Sequence, residues 1–174
     1  MGFQGILDYT LRAVQFAGAV VGAYALFLSM RKKPVTTGRL LSAFYIAALI
    51  QITVLRGGVD WVGLFQAGHS PVQWAPFKTT LEELQSGAWP FVYHVAGNLL
   101  WFVPLGWILR RKPIWVALIA EMLLSTAIEC LQWGLRTGMT DVDDVILNTC
   151  GAGLGRLLAG LIPEWKRPKD PARR

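Results

Sequence analysis

Charge is scarce in this sequence: 16% of its 174 residues are Asp, Glu, Lys or Arg, against 53% hydrophobic residues. That balance excludes an ordinary soluble domain. Cysteine is nearly absent. The two present, Cys130 and Cys150, fall in apolar runs and read as small core residues rather than a disulfide framework or a thiolate metal site. Of two histidines, His69 sits in a Gly-His-Ser-Pro turn and reads as simply solvated. No HExxH, GxSxG or Walker loop occurs, so zinc-hydrolase, serine-nucleophile and P-loop chemistries have no support here.

What the chain has is long apolar runs. Five blocks, Leu11–Met30, Leu40–Leu55, Pro90–Leu109, Pro113–Trp133 and Val145–Ile162, are long enough, or nearly so, to cross a hydrocarbon layer of about 30 Å. The second is the shortest, at about 16 residues where a level crossing needs about 20. The expected fold is all-α: a polytopic integral membrane bundle of about five helices, forming a single membrane domain over 1–174. The first block is followed by its basic cluster, which suits a retained span rather than a cleavable signal peptide.

The net charge of +6 raises the question of nucleic acid, and its distribution answers it. Arg31, Lys32, Lys33 and Arg39 lie between the first two blocks, Arg110, Arg111 and Lys112 between the third and fourth. Lys166, Arg167, Lys169, Arg173 and Arg174 form a basic tail over 163–174. The opposite side holds Arg12, Arg56, Lys78 and Arg136. The positive-inside rule then places the N-terminus out and the C-terminus in, with the basic excess marking topology and anionic-lipid contact rather than nucleic acid.

The first span carries Gly18, Gly22 and Ala25, small residues suited to close helix approach. The longest connection, 59–89, lies outside and holds Trp61, Phe65, Trp74, Phe77 and Trp89, residues favoured at headgroup level. A short helix is expected within it at Thr79–Gln85. In the third span His94 and Asn98 are four apart and share a face, with Pro104 and Gly106 predicting a kink further in. In the fourth, Glu121, Ser125, Glu129 and Gln132 form one narrow stripe. In the fifth, Asp144 and Asn148 share a face that Gly151, Gly155 and Ala159 extend as small residues at intervals of four. Polar stripes in lipid need partners, so the three should face one another.

Topology and a rise of about 1.5 Å per residue align the stripes by depth. His94, Asn98, Glu129, Gln132, Asp144 and Asn148 fall at one outer level, joined by Asp141 and Arg136. Arg156 lies about 18 Å below Asp144 by the same rise, level with Glu121, and the two are expected to form a structural ion pair. The outer cluster admits three readings: a hydrogen-bonded plug, an acid/base centre in which Glu129 or Asp144 works with His94, or a binding pocket. No cofactor is expected, although such carboxylates are of the type that binds a divalent cation.

The ordered set Pro76-Phe77, Asn98-Leu99-Leu100 through Phe102, Pro104, Leu105 and Gly106, then Glu129-x-x-Gln132, then Asp141-Val142-Asp143-Asp144 through Asn148, Thr149 and Gly151 resembles the VanZ-like family. The match spans roughly 75–161. The resemblance implies a multi-pass protein of the bacterial cytoplasmic membrane, in a family named for a member associated with low-level teicoplanin resistance. It carries a polar signature onto Asn98, Glu129, Gln132, Asp144 and Asn148. Family members commonly place an Arg three residues before the first Asp of that last string. Here the position is Gly138, and Arg136 is the nearest cation, so Arg136 stands as a candidate headgroup-binding residue.

The expected function is recognition of a cell-envelope component in an outward-facing polar pocket: a lipid-linked cell-wall precursor, another anionic lipid, or a lipoglycopeptide. An intramembrane hydrolase or transferase acting on an envelope lipid is the catalytic alternative. A membrane scaffold, relying on the Gly151/Gly155/Ala159 face, is the third.

Overall fold

The computed structural model describes residues 3–55 and 70–161. His69, Trp61, Phe65 and the basic tail lie outside that range. Six helices occur: α1 (Phe3–Met30), α2 (Thr37–Thr53), α3 (Lys78–Ser86), α4 (Ala88–Ile108), α5 (Ile114–Leu135) and α6 (Val142–Leu161). Two short strands, β1 (Val72–Gln73) and β2 (Thr140–Asp141), pair in parallel, Val72 opposite Thr140 and Gln73 opposite Asp141.

Among the described residues, three helices are long and apolar enough to cross a membrane: Thr10–Met30 within α1, Ala88–Ile108 and Ile114–Leu135. α2 is a shorter apolar helix of 17 residues, and α6, at 20 residues, carries Asp143, Asp144 and Arg156. α1 begins at Phe3, ahead of the apolar block that starts at Leu11. α4 runs through Pro104 without ending there, and α3 matches the short outer helix expected from the sequence to within a residue.

The helix ends follow from local chemistry. α1 gives way at Arg31-Lys32-Lys33-Pro34, with Lys32 in the left-handed region and Lys33 N–H donating back to the Leu28 carbonyl. Gly87, at φ 142, ends α3 and starts α4 in a conformation that side chains rarely adopt. Arg136, at φ 54, closes α5.

Burial is inverted relative to a soluble protein. Glu121, Ser125, Glu129 and Gln132 on α5 are buried, while Leu123 on the same helix is 63% exposed. Leu26, Leu41, Leu100 and Leu157 also face outward, so every long helix presents a leucine-bearing outer surface. Ala17, Ala47 and Ala48 bring α1 and α2 together beside Trp101, and Phe102 sits fully buried against Leu49 and Ile128.

The closest helix pair is α4 with α6, which run parallel. A methyl group on Gly151 would overlap the Leu99 carbonyl, one on Gly155 the Val103 carbonyl, and one on Gly106 the Ala152 carbonyl. The backbones touch. The small-residue face of α6 is therefore an intramolecular seam. Gly18 and Gly22 behave otherwise: nothing lies within 4 Å of where their Cβ would be. Close approach in α1 goes through Ala13 and Ala17, which are buried, because those positions face α2 and the glycines face outward.

Candidate functional site

The α4–α6 seam sets the level at which polar side chains meet. Asn98, one residue before the Leu99 contact, donates its Nδ2 hydrogen to Asp144 Oδ1 at 2.7 Å. His94, a turn earlier, brings Nδ1 to 3.9 Å from the same Asp144 oxygen, an ion pair when the imidazole is protonated. Its Nε2 lies 3.5 Å from Thr80 Oγ1 on α3.

α5 supplies the opposite wall. Gln132 Nε2 donates to the Thr53 carbonyl at the end of α2 (2.9 Å), and Asn148 Nδ2 on α6 donates to Ser125 Oγ at 2.8 Å. Glu129 Oε2 accepts the Asp141 N–H at 2.8 Å, and the Glu129 carbonyl accepts from Thr140 Oγ1 at 3.2 Å. The turn from α5 into α6 is thus folded back onto α5.

Between these walls lies a cavity of about 700 Å³. His94, Asn98, Glu129, Gln132, Asp144 and Asn148, the six residues aligned by depth in the sequence, all line it. Tyr93, Trp101, Phe102 and Ile128 give it apolar walls, Thr53 closes it from α2, and Glu83 reaches it from α3.

Two sequence candidates have other roles. Asp141 is buried but does not line the cavity; its Oδ1 accepts the Asp143 N–H at 2.9 Å and so caps α6. Arg136 caps the end of α5, half-buried, and is likewise absent from the cavity wall.

Asp143 is the residue that sequence reasoning passed over. It is buried, and its carboxylate accepts the Phe77 N–H, the Thr80 N–H at 2.9 Å and the Thr80 hydroxyl at 2.9 Å. These are the orphan donors at the start of α3, which has no side-chain cap of its own. Asp143 therefore caps α3 from another helix and holds it against the N-terminal end of α6. The only hint in the sequence was a third Asp in a string whose neighbours already had assignments.

The expected ion pair between Glu121 and Arg156 is not formed. Glu121 is buried with Oε1 lacking a hydrogen-bond partner, while Arg156 Nε donates to the Lys112 carbonyl at 3.0 Å. Depth alignment put the two residues on one level, but the Asn148–Ser125 and Gly153–Leu118 contacts set α5 and α6 in a register that leaves Arg156 about a turn beyond Glu121. The arginine stem reaches instead to the carbonyls of the α4–α5 turn. Among the described residues, no group of three or more His, Cys, Asp or Glu side chains is arranged to hold a metal ion.

With this geometry in place, comparison with known proteins is decisive on kinship. The VanZ/LLP1 family model matches residues 42–163. The chain belongs to the VanZ/LLP1 family. Protein VanZ of Enterococcus faecium is 26% identical over 132 residues, covering 71% of this chain and 76% of that protein. No solved structure matches. The VanZ/LLP1 match reaches further back than the 75–161 stretch that carried the resemblance, taking in most of α2. That extension makes structural sense, since Thr53 on α2 anchors Gln132 and Tyr45 on α2 donates its hydroxyl to the Trp101 carbonyl at 2.7 Å.

Proposed function

We propose that this VanZ/LLP1 protein is a multi-pass component of the bacterial cytoplasmic membrane, with α1, α2, α4, α5 and α6 as five spans, N-terminus out and C-terminus in. Its outer cavity recognises a cell-envelope component and links the protein to low-level glycopeptide resistance. The ligand classes are a lipid-linked cell-wall precursor, an anionic lipid or a lipoglycopeptide. The observation that carries this reading is the half-open cavity of about 700 Å³ itself. A purely structural plug would fill the centre with its own side chains, and this cluster surrounds a volume of the size that binds small molecules. Exposed Trp74, Phe77 and Trp89 near the cavity side support an outer interfacial position for the connecting segment.

The test is an inhibition assay. Expression of the chain in a teicoplanin-sensitive bacterium should raise the inhibitory concentration of teicoplanin. Glu129→Ala and Asp144→Ala proteins, matched for membrane level, should return it to baseline. Unchanged resistance in both would overturn the recognition reading.

A catalytic reading has one observation in its favour: His94 and Asp144 share the cavity at 3.9 Å, with Asn98 orienting the carboxylate. Such a pair can move a proton to or from an envelope lipid. Glu129→Gln and Asp144→Asn separate the readings. An acid/base enzyme loses turnover on either isosteric change, whereas a binding site retains part of its affinity.

A further inference from the structure

Two amide groups in the cavity are half-used. Gln132 is 2% exposed, and its Nε2 is committed to the Thr53 carbonyl, a group that can only accept. This fixes the amide's orientation and leaves Oε1 as a buried acceptor with no donor. Asn148 is also 2% exposed, its Nδ2 is committed to Ser125 Oγ, and its Oδ1 is buried without a donor. Both residues line the same cavity. A buried carbonyl oxygen left without a donor is costly, and native proteins keep few of them.

With the amides so placed, an occupant that brings hydrogens to these oxygens completes both of them. A bare anionic group would set its own oxygens against them and against the carboxylates of Glu129 and Asp144. A compact ammonium is too small for both. Ser125, which holds Asn148, and Gln132 are seven residues apart on α5, about 10 Å along the axis. Hydrogen bonds of about 2.9 Å let one nitrogen bridge acceptors no more than about 6 Å apart. A ring carrying several hydroxyls spans such a gap and can also lie against the aromatic walls of Tyr93, Trp101 and Phe102.

We propose that the cavity is a saccharide subsite, in which Gln132 Oε1 and Asn148 Oδ1 accept hydroxyl hydrogens from a sugar. This deepens the recognition reading above and rests on it. The sugar's source is either a membrane glycolipid or a sugar-bearing solute, and both present the same hydroxyls.

The full-length protein in phosphatidylcholine nanodiscs is titrated calorimetrically with octyl β-glucoside below its micellar concentration, methyl β-glucoside, octylamine and octyl phosphate. The expected result is saturable binding of a glucoside, above bulk partitioning into protein-free discs. Binding of the octyl form alone identifies a membrane-borne sugar; equal binding of the methyl form identifies a solute. Gln132→Met should weaken the glucoside about three- to tenfold, the loss of one hydrogen bond. Wild-type protein titrated with a set of monodeoxy octyl glucosides provides a check that needs no variant: at least one should lose affinity by a similar factor.

Preference for octylamine or octyl phosphate, equal binding of every monodeoxy probe, or no saturable binding by either glucoside would overturn the saccharide subsite. Octyl phosphate binding alone would do so while leaving envelope recognition standing. Recognition itself falls only on the teicoplanin experiment.

Discussion

At the scale of single residues, the three aspartates of the Asp141-Val142-Asp143-Asp144 string divide the work. Asp141 caps its own helix, Asp143 caps α3, and Asp144 faces the cavity through Asn98. Substituting each should therefore give a different phenotype. Asp143→Ala removes the cap of α3 and should cost about 1–2 kcal/mol locally. Amide exchange across 78–86 should then accelerate about 5- to 30-fold, with the rest of the bundle little changed. Asn98→Ala should lower the thermal midpoint of the detergent-solubilised protein only slightly. Side-chain hydrogen bonds inside membrane proteins average about 0.6 kcal/mol and reach about 1.7 kcal/mol. Its larger effect is expected on ligand affinity, because Asp144 loses the group that orients it. The neighbourhood of these residues was legible in the sequence, since helical spacing fixes faces and depth. Their partners were less so. Arg156 shows why: spacing within a helix does not encode the register between two helices, and here that register sets Glu121 about a turn away from Arg156.

Among elements, the α4–α6 seam dominates. Methyl groups at Gly106, Gly151 or Gly155 meet main-chain carbonyls, which cannot rotate aside. Overpacking of this kind typically costs about 1–3 kcal/mol, against about 0.6 kcal/mol for an average side-chain hydrogen bond in a membrane protein. Gly151→Ala and Gly155→Ala should accordingly reduce folded yield and separate Asn98 from Asp144. Gly18→Ala and Gly22→Ala should leave both unchanged, measured by size-exclusion recovery and thermal unfolding. Sequence spacing pointed to both sets of glycines with equal force. What distinguishes them is which face the neighbouring helix occupies, and that depends on α2 and α4, far along the chain. The comparison also shows that sensitivity of Gly151 or Gly155 reports the fold of this chain, not a surface for another protein.

For the molecule as a whole, the proposed topology puts Ser86 outside and Arg111 inside. In a background with Cys130 and Cys150 replaced by alanine, a cysteine at Ser86 should react with an impermeant maleimide on intact cells. One at Arg111 should react only after permeabilisation. The reverse pattern would invert the proposed orientation, and labelling of both would rule out an odd number of crossings between them.

The cap that Asp143 lends to α3 also bears on the order in which the protein is made. Its acceptor stands 66 residues after the Phe77 amide it satisfies. Until α6 is made, the start of α3 has no such partner. A chain that stops short of α6 leaves the Phe77 and Thr80 amides without the acceptor that satisfies them in the full protein. The start of α3 is thus completed by one of the last segments to be made.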